Sequence, residues 1–185
     1  MIAAGLRGAF LLARGHANGL SLIEDTPAGA IRSFWAAALC LPGFLALRLF
    51  GWGMEGEPPA GLGPALLAEL LGYVCAWAGF ALASLTLARA MGREVAWPHF
   101  IAAWNWASVV QYMVWLALAL PIVPGLPPLL AQVLVLASLG YALWLEWFVA
   151  KSALRLAGSQ AMAIVLLDLA IGILIGTVVG RLSGG

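Results

Sequence analysis

The chain has 185 residues, of which 64% are hydrophobic and 9% charged, whereas a soluble globular domain carries roughly 25% charged residues. Because so few polar side chains cannot cover a compact water-soluble domain, most apolar side chains must face the lipid bilayer. A formal net charge of +1 also excludes a basic face that could neutralise the phosphates of a nucleic acid. The composition therefore predicts an all-α, polytopic membrane protein that binds no nucleic acid.

The first segment, residues 1–26, is predicted to lie on the membrane and not to cross it. Its apolar stretch between Arg7 and Arg14 is shorter than the roughly 7–15 residues of a secretory signal core. Arg7 and Arg14 share one helical face, and apolar residues share another: Ile2, Leu6, Ala9, Phe10 and Ala13. We expect an amphipathic helix in the cytoplasmic interface, with a frayed tail as the alternative.

Five segments are long and apolar enough to cross a hydrocarbon layer about 30 Å thick. The first is expected over about 27–49 and the second over about 65–90, separated by a loop rich in glycine and proline. Prolines divide the uncharged run 100–145 into a third and a fourth span joined by a tight turn. The fifth span is expected over about 161–180, and residues 27–185 are predicted to form one domain.

Basic residues are concentrated in alternate loops, which predicts the orientation through the positive-inside rule. The N-terminal segment, the start of the first span and two of the loops hold most of them: Arg7, Arg14, Arg32, Arg89, Arg93, Lys151 and Arg155. Only Arg48 and Arg181 fall on the other side. We therefore expect the N terminus in the cytoplasm and the C terminus outside, with Arg32 and Arg48 extending towards the two interfaces.

Small residues at three- and four-residue spacing mark candidate contact faces between spans. The fifth span carries a doubled GxxxG pattern in Gly172, Gly176 and Gly180, and the second carries Gly72 and Gly79 within a similar stripe. We expect these glycines to pack against other helices of the same chain rather than against a second copy.

The third span has one polar face, which must turn into the bundle to avoid unsatisfied groups in lipid. Polar and indole side chains share this face: Trp97, Trp104, Asn105, Ser108, Gln111, Tyr112 and Trp115. Structural hydrogen bonding between helices is one interpretation. A binding groove lined with tryptophan is the other.

Two acidic residues lie within the predicted spans. Asp168 is expected about 10 Å deep, where a carboxylate is costly unless it is paired, protonated or hydrated. Asn105, Gln111, Tyr112 or an arginine from the cytoplasmic side could be its partner. Glu146 lies nearer the cytoplasmic end of its span and is expected to extend to the interface or to pair with a basic neighbour such as Lys151. The candidate polar site within the membrane is Asp168, Asn105, Gln111, Tyr112 and Glu146.

Motifs for catalysis, metal ions or cofactors do not occur in the sequence. Cys40 and Cys75 lie inside apolar runs, and His16 and His99 lack the neighbouring ligands of a zinc site. A nucleophile elbow and a phosphate-binding loop are also missing. We therefore predict a protein without cofactor and without catalysis of its own.

One region resembles the middle of Yip-domain membrane proteins. It comprises Ala88-Arg89-Ala90-Met91-Gly92-Arg93, then Pro98-His99-Phe100, then the segment from Trp104 to Val109. The stretch Ala150-Lys151-Ser152-Ala153-Leu154 is similar to the junction between the fourth and fifth spans of that family. The resemblance covers about 70–182 and implies five spans with a cytoplasmic N terminus. The bias towards Arg, Ala, Gly and Leu is typical of a bacterium with a GC-rich genome, which predicts a bacterial inner-membrane member.

Two functions remain open from the sequence. The first is an integral membrane protein that acts through helix and membrane contacts, as a scaffold, accessory subunit or membrane organiser. Its partners would be the lipid bilayer and a larger membrane complex or further copies of the chain. The alternative is a small transporter or proton-coupled module that uses Asp168 and the polar face of the third span.

Overall fold

A computed structural model describes residues 2–119 and 126–183. Within these ranges the protein is 86% helical, with seven α-helices and no strand. This confirms the predicted all-α bundle. The predicted tight turn between the third and fourth spans includes residues 120–125 and so lies outside the described residues.

The seven helices follow the chain in order. They are α1 (Ile2–Leu12), α2 (Pro27–Ser33), α3 (Trp35–Glu55), α4 (Leu62–Ala90), α5 (Trp97–Ala119), α6 (Pro128–Ala153) and α7 (Gly158–Leu182). Short 3-10 turns at Ala17–Leu22 and Glu94–Ala96 precede α2 and α5.

Five helical segments are long and apolar enough to span a membrane, which confirms the predicted number. The first, Pro27–Met54, comprises α2 and α3. It starts as expected, because Pro27 occupies the first turn and the Thr26 hydroxyl accepts a 2.9 Å hydrogen bond from the Gly29 N–H. The first span is interrupted at Phe34, between α2 and α3, and Pro42 lies inside α3.

The helix α5 is the centre of the bundle. It packs against α1, α2, α3 and α6, while α7 packs against both α4 and α6. By contrast, α4 touches α5 over only a short stretch. This stretch is aromatic, because Phe80 and Trp77 of α4 meet Trp104 and Phe100 of α5. Along the rest of their length a gap separates the two helices.

The N-terminal helix α1 docks onto the bundle through Gly5, Gly8, Ala9 and Leu12, which are buried. Of the apolar face expected from the sequence, Ala9 is buried in this contact, whereas Ile2 and Phe10 lie on the surface of the bundle. Gly5 allows a close approach, since a Cβ at this position would lie 2.5 Å from the indole of Trp106 on α5. The Tyr141 hydroxyl on α6 donates a 3.0 Å hydrogen bond to the Ala13 carbonyl. Arg7 and Arg14 are exposed.

The glycine stripes behave differently from one another. A Cβ at Gly72 would lie 2.5 Å from the Val179 side chain, so α4 and α7 do approach closely there. A Cβ at Gly79 would lie 3.9 Å from the Ile171 side chain of α7, which is an ordinary van der Waals distance. A Cβ at Gly172, Gly176 or Gly180 would meet none of the described atoms within 4 Å. The close packing predicted for this ridge is therefore not formed among the described residues, because α7 meets Gly72 through Ile175 and Val179, while Gly172 and Gly176 border an open cavity.

Candidate functional site

A cavity of about 320 Å³ occupies the gap between α4 and α5. It is lined by α3, α4, α5 and α7, and its wall contains three tryptophans and several of the glycines. The polar side chains in its wall are Arg48, Glu69, Ser108, Gln111, Tyr112 and Asp168. The predicted polar face of the third span thus contributes Ser108, Gln111 and Tyr112 to this cavity.

The cavity extends from the middle of the bundle towards the end where α4 begins. Asp168 lies about 15 Å from the start of α7 by helix rise. Glu69 lies about 10 Å from the start of α4, which is at the opposite end of the bundle. Val179, which lines the cavity, marks its extent near the end of α7. The polar wall therefore connects the Asp168 carboxyl with one end of the bundle.

Aromatic rings close the other end of the cavity. The Trp104 ring stacks on Phe80 with centroids 4.3 Å apart, and it meets Trp77 edge-on at 5.2 Å. The Phe80 ring also packs against the Phe100 ring, with centroids 6.2 Å apart, and neither phenylalanine has any exposed surface. Because these rings fill the space between α4 and α5, the bundle is closed between Asp168 and the start of α5.

An ion pair between α3 and α4 lies in the cavity wall. Arg48 Nε is 3.0 Å from Glu69 Oε2, and the Glu69 side chain is only 10% exposed. The Arg48 guanidinium also lies over the Phe44 ring, 5.6 Å from its centroid. The expectation that Arg48 simply extends to the interface is therefore incomplete. Sequence reasoning missed Glu69 as a site residue, although opposite charges near the same end of consecutive spans could have indicated the pair.

The carboxyl groups of Glu146 on α6 and Asp168 on α7 adjoin one another. Glu146 is 5% exposed, and its Oε1 has no hydrogen-bond partner among the described residues. The prediction that Glu146 extends to the interface or pairs with Lys151 is wrong, since the Lys151 ammonium lies over the Trp147 ring at 4.7 Å. Two ionised carboxylates this close repel strongly in a poorly polar interior, so a proton or a cation between them is favourable.

The partners predicted for Asp168 are only partly near it. Gln111 and Tyr112 line the same cavity, but the Gln111 amide already donates a 3.0 Å hydrogen bond to the Ala142 carbonyl on α6. Asn105 does not line the cavity and instead donates to the Ser33 hydroxyl at 2.7 Å. The polar face of α5 therefore has both predicted features. Asn105 forms a structural hydrogen bond between helices, whereas Gln111 and Tyr112 also line the cavity.

Metal-binding groups do not cluster in the part of the chain that the structure describes, where no three His, Cys, Asp or Glu side chains come together. Cys40 is buried, Cys75 is exposed, and both are free thiols. The chemistry of the cavity therefore comes from its carboxyl, guanidinium, amide and phenol groups.

No protein-family model matches the chain, and no curated protein or solved structure is significantly similar to it. Membership of the Yip-domain family stays a prediction.

Proposed function

We propose that this membrane protein binds a small cation, in the simplest case a proton, at the Glu146–Asp168 carboxyl pair and moves it across the membrane by way of the cavity. The observation that carries this proposal is that the buried Glu146 carboxyl adjoins the carboxyl of Asp168, which is partly buried and faces the cavity. This is the proton-coupled or transporter function among the two that the sequence left open.

Charge balance supports the proposal. In the cavity wall, Arg48 and Glu69 compensate one another. Neither Glu146 nor Asp168 has a basic group within 4.0 Å among the described residues. An uncompensated carboxylate inside a membrane protein is costly, and a bound cation or proton would remove this cost.

Access supports it as well. Ser108, Gln111 and Tyr112 supply hydroxyl and amide groups along the cavity, which can hydrate or hydrogen-bond an entering ion. The aromatic rings around Trp104 close the opposite side. A polar path that leads to a buried carboxyl from one end only is a suitable arrangement for an ion that binds and leaves on that side, or that crosses after a conformational change.

Carbodiimide labelling and proton flux test the proposal. Dicyclohexylcarbodiimide reacts with protonated carboxyl groups in apolar surroundings, so mass spectrometry should find the adduct on Asp168 or Glu146. Proteoliposomes containing a pH-sensitive dye should show proton movement that Asp168→Asn and Glu146→Gln abolish at unchanged protein abundance. Glu94→Gln, at an exposed acid paired with Arg89, is the matched control. Unlabelled carboxyls together with unchanged flux in both variants would reject the function.

The scaffold function has one observation in its favour. Among the described residues no helix packs closely on the ridge Gly172–Gly176–Gly180, of which Gly172 and Gly176 border the open cavity. Such a ridge permits close approach of another helix. Extraction in mild detergent should then recover a companion at fixed stoichiometry, which Gly176→Leu would release. A chain that purifies alone, with unchanged behaviour of Gly176→Leu, would count against this function.

We further propose a bacterial inner-membrane location with a cytoplasmic N terminus. The end of the bundle at which α4 and α6 finish and α5 and α7 begin carries Arg89, Arg93, Lys151 and Arg155, which supports this orientation through the positive-inside rule. Single cysteines placed at Val95 and Ala60 in a chain without Cys40 and Cys75 should react with an impermeant maleimide from opposite sides. The same sidedness at both positions would contradict the assignment.

A further inference from the structure

A second pocket, of about 480 Å³, lies at the basic end of the bundle and is separate from the Asp168 cavity. The turn after α4, the start of α5 and the end of α6 all contribute to it. Its polar side chains are Asp25, Arg93, His99, Ser152 and Arg155. We refer to it as the end pocket.

Two arginines distant in sequence meet at the end pocket. Both Arg93 and Arg155 are exposed, and within the described residues neither has a carboxylate within 4.0 Å. By comparison, Arg32, Arg48 and Arg89 each form an ion pair. The end pocket thus holds two guanidinium groups whose charge no acidic side chain contacts.

The backbone at Arg155 is unusual. Its φ angle is +52°, in the left-handed region that glycine or asparagine normally occupies after a helix. The Leu156 N–H donates a 3.1 Å hydrogen bond to the Lys151 carbonyl and so closes the turn that follows α6. Glycine would fit this turn with less strain than arginine. The arginine at position 155 is therefore not explained by the backbone, because the turn favours glycine, which has no side chain.

His99 and Asp25 also line the end pocket. Because a carbonyl only accepts, the 3.0 Å contact between His99 Nε2 and the Leu20 carbonyl places a proton on Nε2. His99 Nδ1 then lies 3.8 Å from Asp25 Oδ2. The single acid of the pocket therefore lies beside the imidazole. Of the polar side chains that remain, Ser152 is neutral and both arginines are cationic.

We propose that the end pocket binds the phosphate of an anionic phospholipid headgroup, with Arg93 and Arg155 as its two cationic ligands. The planar guanidinium matches phosphate oxygens in charge and geometry, and basic pockets between transmembrane helices bind such headgroups on the cytoplasmic side. Val95, in the wall of the same pocket, is 90% exposed. An apolar side chain projecting at the end of a bundle is suited to contact lipid, which favours a headgroup over a phosphate in free solution.

Native mass spectrometry of the chain in neutral detergent tests this site. Phosphatidylglycerol is added in increasing amounts, with phosphatidylcholine as the zwitterionic reference. We expect one phosphatidylglycerol to bind in preference to phosphatidylcholine. Arg93→Gln and Arg155→Gly should each weaken its binding at least about tenfold, because each removes a charge-assisted contact with the phosphate. Arg155→Gly is informative because glycine suits the backbone at this position and should leave the fold intact.

Arg89→Gln is the control, since it removes one positive charge from the same turn but lies outside the end pocket. It should retain the bound lipid. An equal loss of phosphatidylglycerol binding in all three variants would mean that the lipid is attracted by the overall positive charge of this end of the bundle. That result would overturn the proposal. Free glycerol phosphate that displaces the lipid at comparable concentration would overturn the lipid assignment. The proton-flux assay on the Asp168 cavity remains separate, so either result stands without the other.

Discussion

The side-chain amide of Asn105 donates a hydrogen bond to the hydroxyl of Ser33 over 2.7 Å, and both residues are at most 1% exposed. Ser33 in turn donates to the Ala30 carbonyl at 2.6 Å. This chain of hydrogen bonds joins α5 to the end of α2, where the first span is interrupted. It stabilises the orientation of the central helix.

Replacing Ser33 with alanine should destabilise the bundle by about 1–2 kcal/mol, because the Asn105 amide then loses its partner inside the protein. Equilibrium unfolding in mixed micelles measures this difference. Ser138→Ala is the control, as its hydroxyl donates to the Val135 carbonyl of its own helix and to no other helix among the described residues. It should change the stability by less than half as much. An equal loss of stability in Ser33→Ala and Ser138→Ala would show that the hydrogen bond from Asn105 to Ser33 does not stabilise the bundle.

Replacing Gly72 with alanine should cost about 1–3 kcal/mol, since the added methyl group would overlap the Val179 side chain. Adding Val179→Ala should restore part of the loss by making space. The matched change Gly176→Ala should be neutral or stabilise by up to about 1 kcal/mol, because alanine favours the helix and nothing described stands in its way. Thermal unfolding in detergent distinguishes the three, and a larger loss at Gly176 than at Gly72 would contradict the described α4–α7 contact.

Replacing Arg48 with methionine should destabilise the protein by about 3 kcal/mol, because the buried Glu69 carboxylate loses its only ion-pair partner among the described residues. This value is at the lower end for a broken buried pair, since Arg48 itself is half exposed. The double variant Arg48→Met with Glu69→Leu should be close to the wild type in stability. A double-mutant cycle measures the coupling, and additive losses would indicate that the two side chains act independently.

Replacing Gly5 with leucine should release α1 from the bundle, because the new side chain would overlap the Trp106 indole. Hydrogen exchange of the amides of residues 2–12 should become faster while that of α5 and α6 stays slow. Ala3→Leu is the control, at an exposed position of the same helix. Unchanged exchange in Gly5→Leu would show that α1 does not depend on this contact.

Local sequence patterns were sufficient to predict the number and approximate position of the spans. Run length, flanking charges and prolines act within one segment, so Pro27 and the polar face of α5 could be recognised directly. The position of α1 was harder to predict, because its contact face depends on the indole of Trp106 on another helix. Amphipathicity indicates that a helix has two faces but not which neighbour covers one of them.

The candidate site could be predicted only in part, because contacts between helices are not visible in the pattern of one segment. The depth of Asp168 within an apolar segment singles it out from the sequence alone. The adjoining position of Glu146 depends on how α6 and α7 are rotated against each other, which no spacing within either helix specifies. Asn105 and Gln111 share a polar face of α5, yet Asn105 bonds Ser33 of α2 and Gln111 bonds Ala142 of α6. The partners differ because a different helix lies beside α5 at each of these two positions.

The docking of α1 also determines the order in which the protein can be completed. The hydrogen bond from Tyr141 to Ala13 joins positions far apart in the chain, and the α1 surface is covered only once α5 and α6 are in place. Because α1 is synthesised before α5 and α6, it can reach its docked position only after the fourth span has been made. The helix α1 is consequently among the last parts of the bundle to reach its final position.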